Sequence, residues 1–306
     1  MKKFLFICLF CSFTGLNTFA EDAKENVIKL ETIQVKDLKF TVRTSGPKDG
    51  ELVILLHGFP QTSYSYKKQL VALAKAGYRV VAPDQRGYSP GARPKEIKDY
   101  NIKYLAQDVI DIADQLKSKK FHIVGHDWGA AVAWTVAAKF PERVTTLTAL
   151  SIPHPSAFGE VLGDPKGEQA KKSSYIDFFI QKDSEDALLL FENTGLIKIY
   201  DKFPQADIDE YVKALGSKEA LGAALNWYRA AFGRDAKPNP ISAVTVKTLY
   251  IWGAKDSAVS TAAAEGNEKY VDKETYTYKT LPDSGHWILE SDSEKINTWL
   301  LEHMKK

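Results

Sequence analysis

The chain has 306 residues, is 44% hydrophobic, and carries 41 Lys and Arg against 39 Asp and Glu, a formal net charge of +2. A balanced charge with no basic stripe argues against nucleic acid or a membrane surface as a partner, and the length suits one catalytic domain with an insertion. In chain order, Met1-Lys2-Lys3, the apolar run Phe4 to Phe13 and Thr18-Phe19-Ala20 read as a secretory signal peptide over 1–20, too short to span a membrane. Its expected address is periplasmic or secreted. Both cysteines, Cys8 and Cys11, fall inside it, and Phe10 before Cys11 makes a poor lipid-attachment site. The mature chain then has no disulfide and, without Lys2 and Lys3, no formal net charge. Residues Val27 to Ser45 read as an antiparallel β opening, followed by a buried strand at Val53–Leu56, a helix over Tyr64–Ala76 and a strand over Arg79–Ala82. A helix at Ile102–Leu116 leads into the strand Lys120–Val124 and an Ala-rich helix, Trp128–Lys139, that stops at Pro141. After the strand Thr146–Ile152 the pattern turns helical from about Ser156 to Asp235, most clearly over Phe203–Leu215 and Glu219–Phe232. Pro238, Asn239 and Pro240 mark the return to strands at Leu249–Gly253 and Tyr276–Leu281 and a C-terminal helix. The alternation predicts a mainly parallel sheet flanked by helices, with a core over 21–155 and 238–306 and a helical cap over 156–237.

The chemistry concentrates at Gly125-His126-Asp127-Trp128-Gly129. Strand, small-X-nucleophile-X-small, helix is a nucleophile elbow, and a Cβ at either flanking glycine would clash with the crossing strand and helix. Its central residue is a carboxylate where most hydrolases carry serine. A serine attacking a saturated carbon would leave a stable ether, whereas an aspartate leaves an ester that water cleaves at the carboxyl carbon. Asp127 therefore points to displacement at sp³ carbon, the plainer alternative being a helix cap. His286, in Ser284-Gly285-His286-Trp287 past the last strand, is the candidate base, and Asp256, in the loop after Leu249–Gly253, the candidate acid. The other place for an acid, after Thr146–Ile152, offers no carboxylate until Glu160. His57-Gly58-Phe59-Pro60 follows a buried strand directly. There the N–H groups of Phe59 and Trp128 would converge on the Asp127 carboxylate as an oxyanion hole. Gly58 permits the close approach, Pro60 stiffens the turn with an expected cis bond, and His57 reads as a structural ring.

With these residues in view, the chain resembles the epoxide hydrolases of the α/β-hydrolase superfamily over nearly all of its mature length. The resemblance rests on His57-Gly58-Phe59-Pro60, Asp84-Gln85-Arg86-Gly87-Tyr88, the Asp127 elbow, Pro141-Glu142-Arg143-Val144, Leu225-Asn226-Trp227-Tyr228-Arg229 and Asp283-Ser284-Gly285-His286-Trp287. It implies an α/β-hydrolase fold, the nucleophile–acid–base order Asp127, Asp256, His286, and a cap tyrosine, Tyr228, that helps to open the ring. Tyr175 resembles the second such tyrosine, although its spacing to Gln181 is one residue longer than the family's, and Ser89 stands where many members have Gly. The pair has its own chemical reason. Opening an epoxide leaves an alkoxide that must be protonated, and a phenol can hydrogen-bond the ring oxygen and donate as charge develops. A departing halide needs only N–H donors, so haloalkane dehalogenases are the nearest alternative. Many of those carry Asn where this chain has Phe59, and fluoroacetate dehalogenases carry Arg at the positions of Trp128 and Ala131. The remaining alternative is a periplasmic ligand-binding protein that has lost turnover.

Among the other histidines, His122 reads as a core or edge residue, His126 as structural beneath the elbow, His154 as a candidate pocket residue and His303 as part of a polar helix end. No Cys/His cluster has zinc spacing and no Gly-rich phosphate loop follows a strand, so neither metal nor nucleotide cofactor is expected. The expected partner is a small-molecule epoxide, with no membrane anchor. The loop Gly163 to Ser174 is expected to shape the pocket.

Overall fold

The computed structural model describes residues 27–200, 202–237 and 239–305, so the signal-peptide reading over 1–20, with Cys8 and Cys11, and the boundary residue Pro238 lie outside it. Among these residues an eight-stranded sheet runs in the order β1-β2-β4-β3-β5-β6-β7-β8. The strands are β1 Lys29–Val35, β2 Leu38–Ser45, β3 Leu52–Leu56, β4 Arg79–Pro83, β5 Phe121–His126, β6 Val144–Leu150, β7 Thr248–Gly253 and β8 Tyr276–Leu281. The β1–β2 hairpin pairs antiparallel and joins β4 antiparallel through β2; every pairing from β4 to β8 is parallel.

Strand β3 shows why the sheet is covered on both faces. All five of its residues are buried. Ile54 and Leu56 join the cluster under α2 (Ile102–Gln115) and α3 (Trp128–Lys139), while Val53 and Leu55 join the one under α1 (Lys67–Lys75) and α12 (Ser293–Met304). An uninterrupted apolar run is the signature of a strand buried on both sides. The stretch before α1 is a 3₁₀ turn, Ser63–Tyr66, with Thr62 capping its entry; it is not the α-helical start expected from Tyr64.

Between β6 and β7 lie α4 (Pro155–Leu162), α5 (Glu168–Lys172), α6 (Tyr175–Phe179), α7 (Ser184–Ile199), α8 (Gln205–Leu215) and α9 (Lys218–Phe232); α10 (Thr261–Glu265) and α11 (Ile288–Ser291) follow β7 and β8. Helix α7 is broken by non-helical backbone at Leu190–Asn193. Specific polar contacts dock this block on the sheet. Trp227 Nε1 donates to the Arg86 carbonyl at 2.8 Å, and Tyr200 donates its hydroxyl to the Pro60 carbonyl at 2.7 Å. Gly87 has φ +91°, and an added Cβ would sit 2.9 Å from the Ala223 carbonyl oxygen, so the Arg-Gly-Tyr turn and α9 touch only because residue 87 lacks a side chain.

Candidate active site

Each parallel strand ends beneath the cap, and five of them deliver a residue to one place, the crevice outside their C-terminal ends. Asp127 follows β5 in a strained turn (φ 51°, ψ −125°) that lifts its side chain off the strand line. Its glycine neighbours make that turn possible. A Cβ on Gly125 would lie 2.1 Å from the Gly129 carbonyl oxygen, and one on Gly129 would lie 1.9 Å from that of Leu56. Phe59, after β3, donates its N–H to Asp127 Oδ1 at 2.8 Å, across a cis Phe59–Pro60 bond, and the Trp128 N–H bonds the same carboxyl. Gly58 is obligatory here, since its Cβ would meet Asp127 Oδ1 at 2.3 Å. The expected anchoring role of His57 also has its bonds, with Nε2 accepting from Gln85 N–H at 3.1 Å.

His286, after β8, sets Nε2 3.6 Å from Asp127 Oδ2 and Nδ1 3.1 Å from Asp256 Oδ1. Contact with the Asp256 carboxylate requires hydrogen on Nδ1 and leaves Nε2 facing Asp127. Asp256, fully buried after β7, also accepts N–H bonds from Ala258 at 2.7 Å and Val259 at 3.2 Å. Burial opposes its charge, but His286, the Ser151 hydroxyl and the Ala258 N–H outweigh that and hold its carboxyl below the usual range. Burial likewise disfavours the His286 cation, yet Asp256 and then Asp127 overcome it and push the imidazole up to about 9. Asp127 moves the other way: burial raises its carboxyl, offset in part by His286 and by the Trp128 and Phe59 N–H groups.

Tyr228 on α9 and Tyr175 on α6 line the same cavity as Asp127, with their rings 6.2 Å apart. Burial, reinforced by the nearby Asp127 carboxylate, raises both phenols, so both are neutral donors. The Asn-Trp-Tyr-Arg run thus divides its labour. Trp227 pins α9 to the core and Tyr228 faces the site. Arg229, braced by Asn226 Oδ1 at 3.1 Å, reaches across the cap to Glu185 Oε2 at 2.5 Å.

One residue escaped the sequence reading. Ser151, the first residue after β6, donates its hydroxyl to Asp256 Oδ2 at 2.7 Å and lies 3.0 Å from His286 Nδ1, in left-handed backbone with φ 70°. The clue was its position. The end of β6 is the second place such a sheet offers an acid partner, and a hydroxyl stands there in place of a carboxylate. Three expectations need correction. His154 does not line the cavity; it is buried, its Nδ1 accepts from Ser156 N–H and its ring stacks on Tyr270 at 4.8 Å. His303 is no polar helix end but is buried, with Nε2 3.1 Å from the Leu147 carbonyl oxygen. The described lining includes Gly159 and Leu162 but no residue of the 163–174 loop. Among the described residues, no cluster of His, Cys, Asp and Glu could hold a metal ion.

Comparison with known proteins gives the family. Residues 51–165 match the model of the alpha/beta hydrolase fold family. An AB hydrolase superfamily protein of Bacillus subtilis is 36% identical over 287 residues, covering 91% of this chain and 98% of that one. Epoxide hydrolase 3 of Xenopus tropicalis is 32% identical over 90% of this chain and 77% of its own length. Among solved structures, an epoxide hydrolase of Bacillus megaterium in complex with an inhibitor is 25% identical, superposes with a TM-score of 0.81 and is matched over 90% of this chain and 100% of its own. Identity and coverage of this extent place the chain in the epoxide hydrolase family of the α/β-hydrolase superfamily.

Proposed function

We propose that the chain hydrolyses an epoxide to a vicinal diol through a covalent ester on Asp127. The observation that carries this reading is a carboxylate nucleophile with two neutral phenols in its cavity and a histidine–aspartate pair 3.6 Å behind it. Asp127 Oδ2 attacks a ring carbon, that carbon's bond to the ring oxygen breaks, and the resulting alkoxide takes a proton from Tyr228 or Tyr175. Esterification then changes the base. Asp127 no longer carries the charge that helps to hold the proton on His286, so the imidazole loses part of its upward shift at the step that needs it neutral. His286, oriented by Asp256, takes a proton from water, which attacks the Asp127 carboxyl carbon. The Phe59 and Trp128 N–H groups stabilise the oxyanion. Collapse breaks the bond to the alkyl oxygen, that alkoxide takes the proton of the newly formed carboxyl group to complete the diol and restore the carboxylate, and the proton on His286 returns to the phenolate. A leaving halide would have no use for the two phenols. The apolar leader suggests that this enzyme works in the periplasm or outside the cell.

Intact mass tests the scheme. His286→Gln incubated with epoxides should gain the mass of one whole epoxide, and Asp127→Ala should gain nothing. An adduct equal to an alkyl group without its halogen, after incubation with haloalkanes only, would replace epoxide opening by dehalogenation. Normal turnover by Asp127→Ala would end the covalent scheme.

A further inference from the structure

We infer that the site is built for terminal epoxides, with the oxirane at one end of an uncharged, apolar body that lies along α3; this rests on the epoxide opening proposed above. The cavity measures about 420 Å³. At its inner end Asp127 and Tyr228 are only 5% and 3% exposed. At its outer end it is lined by the exposed residues Ala231, Gly159 and Pro240. Along one wall, Trp128, Ala131 and the buried Thr135 lie at the i, i+3, i+7 spacing of one helical face. At 1.5 Å of rise per residue, that face carries the channel about 10 Å along α3.

Next to Asp127, three aromatic rings are packed against one another. Phe59 packs edge-on against Phe179 at 5.1 Å and Tyr228 at 5.3 Å, and Phe179 against Tyr228 at 5.0 Å. Beside His286, Trp287 is closed over by Phe203 at 5.3 Å. A ring carbon at Asp127 can therefore send one substituent down the channel, but a substituent on the opposite carbon would have to displace packed aromatic rings. The described lining carries one ionised group, Asp127 itself, and no cation. A carboxylate on the body of the substrate would lose its hydration with nothing to pair it, next to a like charge. The chemistry selects a neutral molecule, and the shape selects one reactive end.

The test compares isomers of equal composition. Wild-type enzyme should show kcat/KM at least tenfold higher for 1,2-epoxydecane than for 5,6-epoxydecane, and should reject 4,5-epoxypentanoate relative to its methyl ester. Ala131→Phe, which puts a ring into the channel one turn from Asp127, should lower kcat/KM for 1,2-epoxydecane at least tenfold more than for 1,2-epoxybutane. Equal rates on the two decane isomers would overturn the inference while leaving epoxide opening intact. Failure to open any epoxide, with no adduct on His286→Gln, would instead remove the activity on which it rests. The wild-type comparison stands even if the variant fails to fold.

Discussion

At the scale of single residues, the acid–base pair is a three-way contact. Ser151 gives its hydroxyl hydrogen to Asp256 Oδ2 and sits within reach of the Nδ1 hydrogen that Asp256 also receives from His286. Bonds to charged groups contribute about 1.5–3 kcal/mol. Removing the hydroxyl should therefore slow the step that depends on a well-aimed His286 by about tenfold to a hundredfold. In the proposed mechanism that step is ester hydrolysis, because in the first step the attacking group is Asp127, held by Phe59 and Trp128 N–H groups that Ser151 does not touch. In rapid-mixing experiments Ser151→Ala should accumulate ester, with hydrolysis slowed and alkylation within a factor of about three. Ser151→Gly also lacks the hydroxyl but tolerates the left-handed backbone at φ 70°, so a similar loss there assigns the effect to the hydroxyl and not to strain. Equal slowing of both steps would reduce Ser151 to a structural part.

At the scale of elements, the elbow depends on β3 and α3 approaching closer than side chains allow. A Cβ at Gly129 would lie 1.9 Å from the Leu56 carbonyl oxygen and 2.7 Å from that of His57, both backbone atoms that cannot swing aside. Gly129→Ala should accordingly lose on the order of 3 kcal/mol, the upper end of overpacking costs. Gly159 in α4 is the internal control. Its Cβ would meet nothing within 4 Å, so Gly159→Ala should gain about 0.5–1 kcal/mol of helix propensity. Urea unfolding midpoints of the two variants should move in opposite directions, and a stable Gly129→Ala would mean that the elbow can relax. The elbow itself was legible in the sequence because its signature is local: two glycines four apart, an apolar strand before them and an Ala-rich helix after. The Tyr228 helix was legible for a similar reason, since Trp227, Tyr228 and Arg229 all act within one turn of α9. What was missed depends on strands far apart in the chain. Ser151 meets Asp256 across 105 residues, and His303 meets the Leu147 carbonyl across 156, so neither has a local pattern. A histidine near a chain end looks solvated until the helix that carries it is packed on the sheet.

At the scale of the whole molecule, the histidines are sorted by what surrounds them, and this sets the stability profile. His57, His126, His154 and His303 are buried without a carboxylate bond to compensate, and burial lowers them to about 4, 3, 4 and 4. His57 and His154 also spend a ring nitrogen as acceptor, for Gln85 and Ser156 N–H respectively, and protonation would break those bonds. The unfolded chain takes up protons at these groups near pH 6.5, the folded chain only near 4 or below, so in that window the unfolded state binds more protons and acid favours unfolding. Asp256, held low by His286, adds to the acid loss. Glu290, pushed up to about 7 by burial, and Asp127, raised by burial, act in the opposite sense. Four histidines against these two leave a net uptake of at least one proton on unfolding, which is about 1.4 kcal/mol per pH unit. On the alkaline side His286, at about 9, stays charged in the folded state after the unfolded histidine has lost its proton, so its contribution is complete below pH 6.5 and fades as pH rises through 9. Urea unfolding at pH 4.5, 5.5, 6.5, 8 and 9.5 should therefore give greatest stability near pH 6.5–7, with a steeper decline toward acid. A flat profile between pH 6.5 and 4.5 would mean that the buried imidazoles reach solvent before the sheet opens. The site would then be exposed by local opening of the cap instead of being sealed by the same core that keeps these rings neutral.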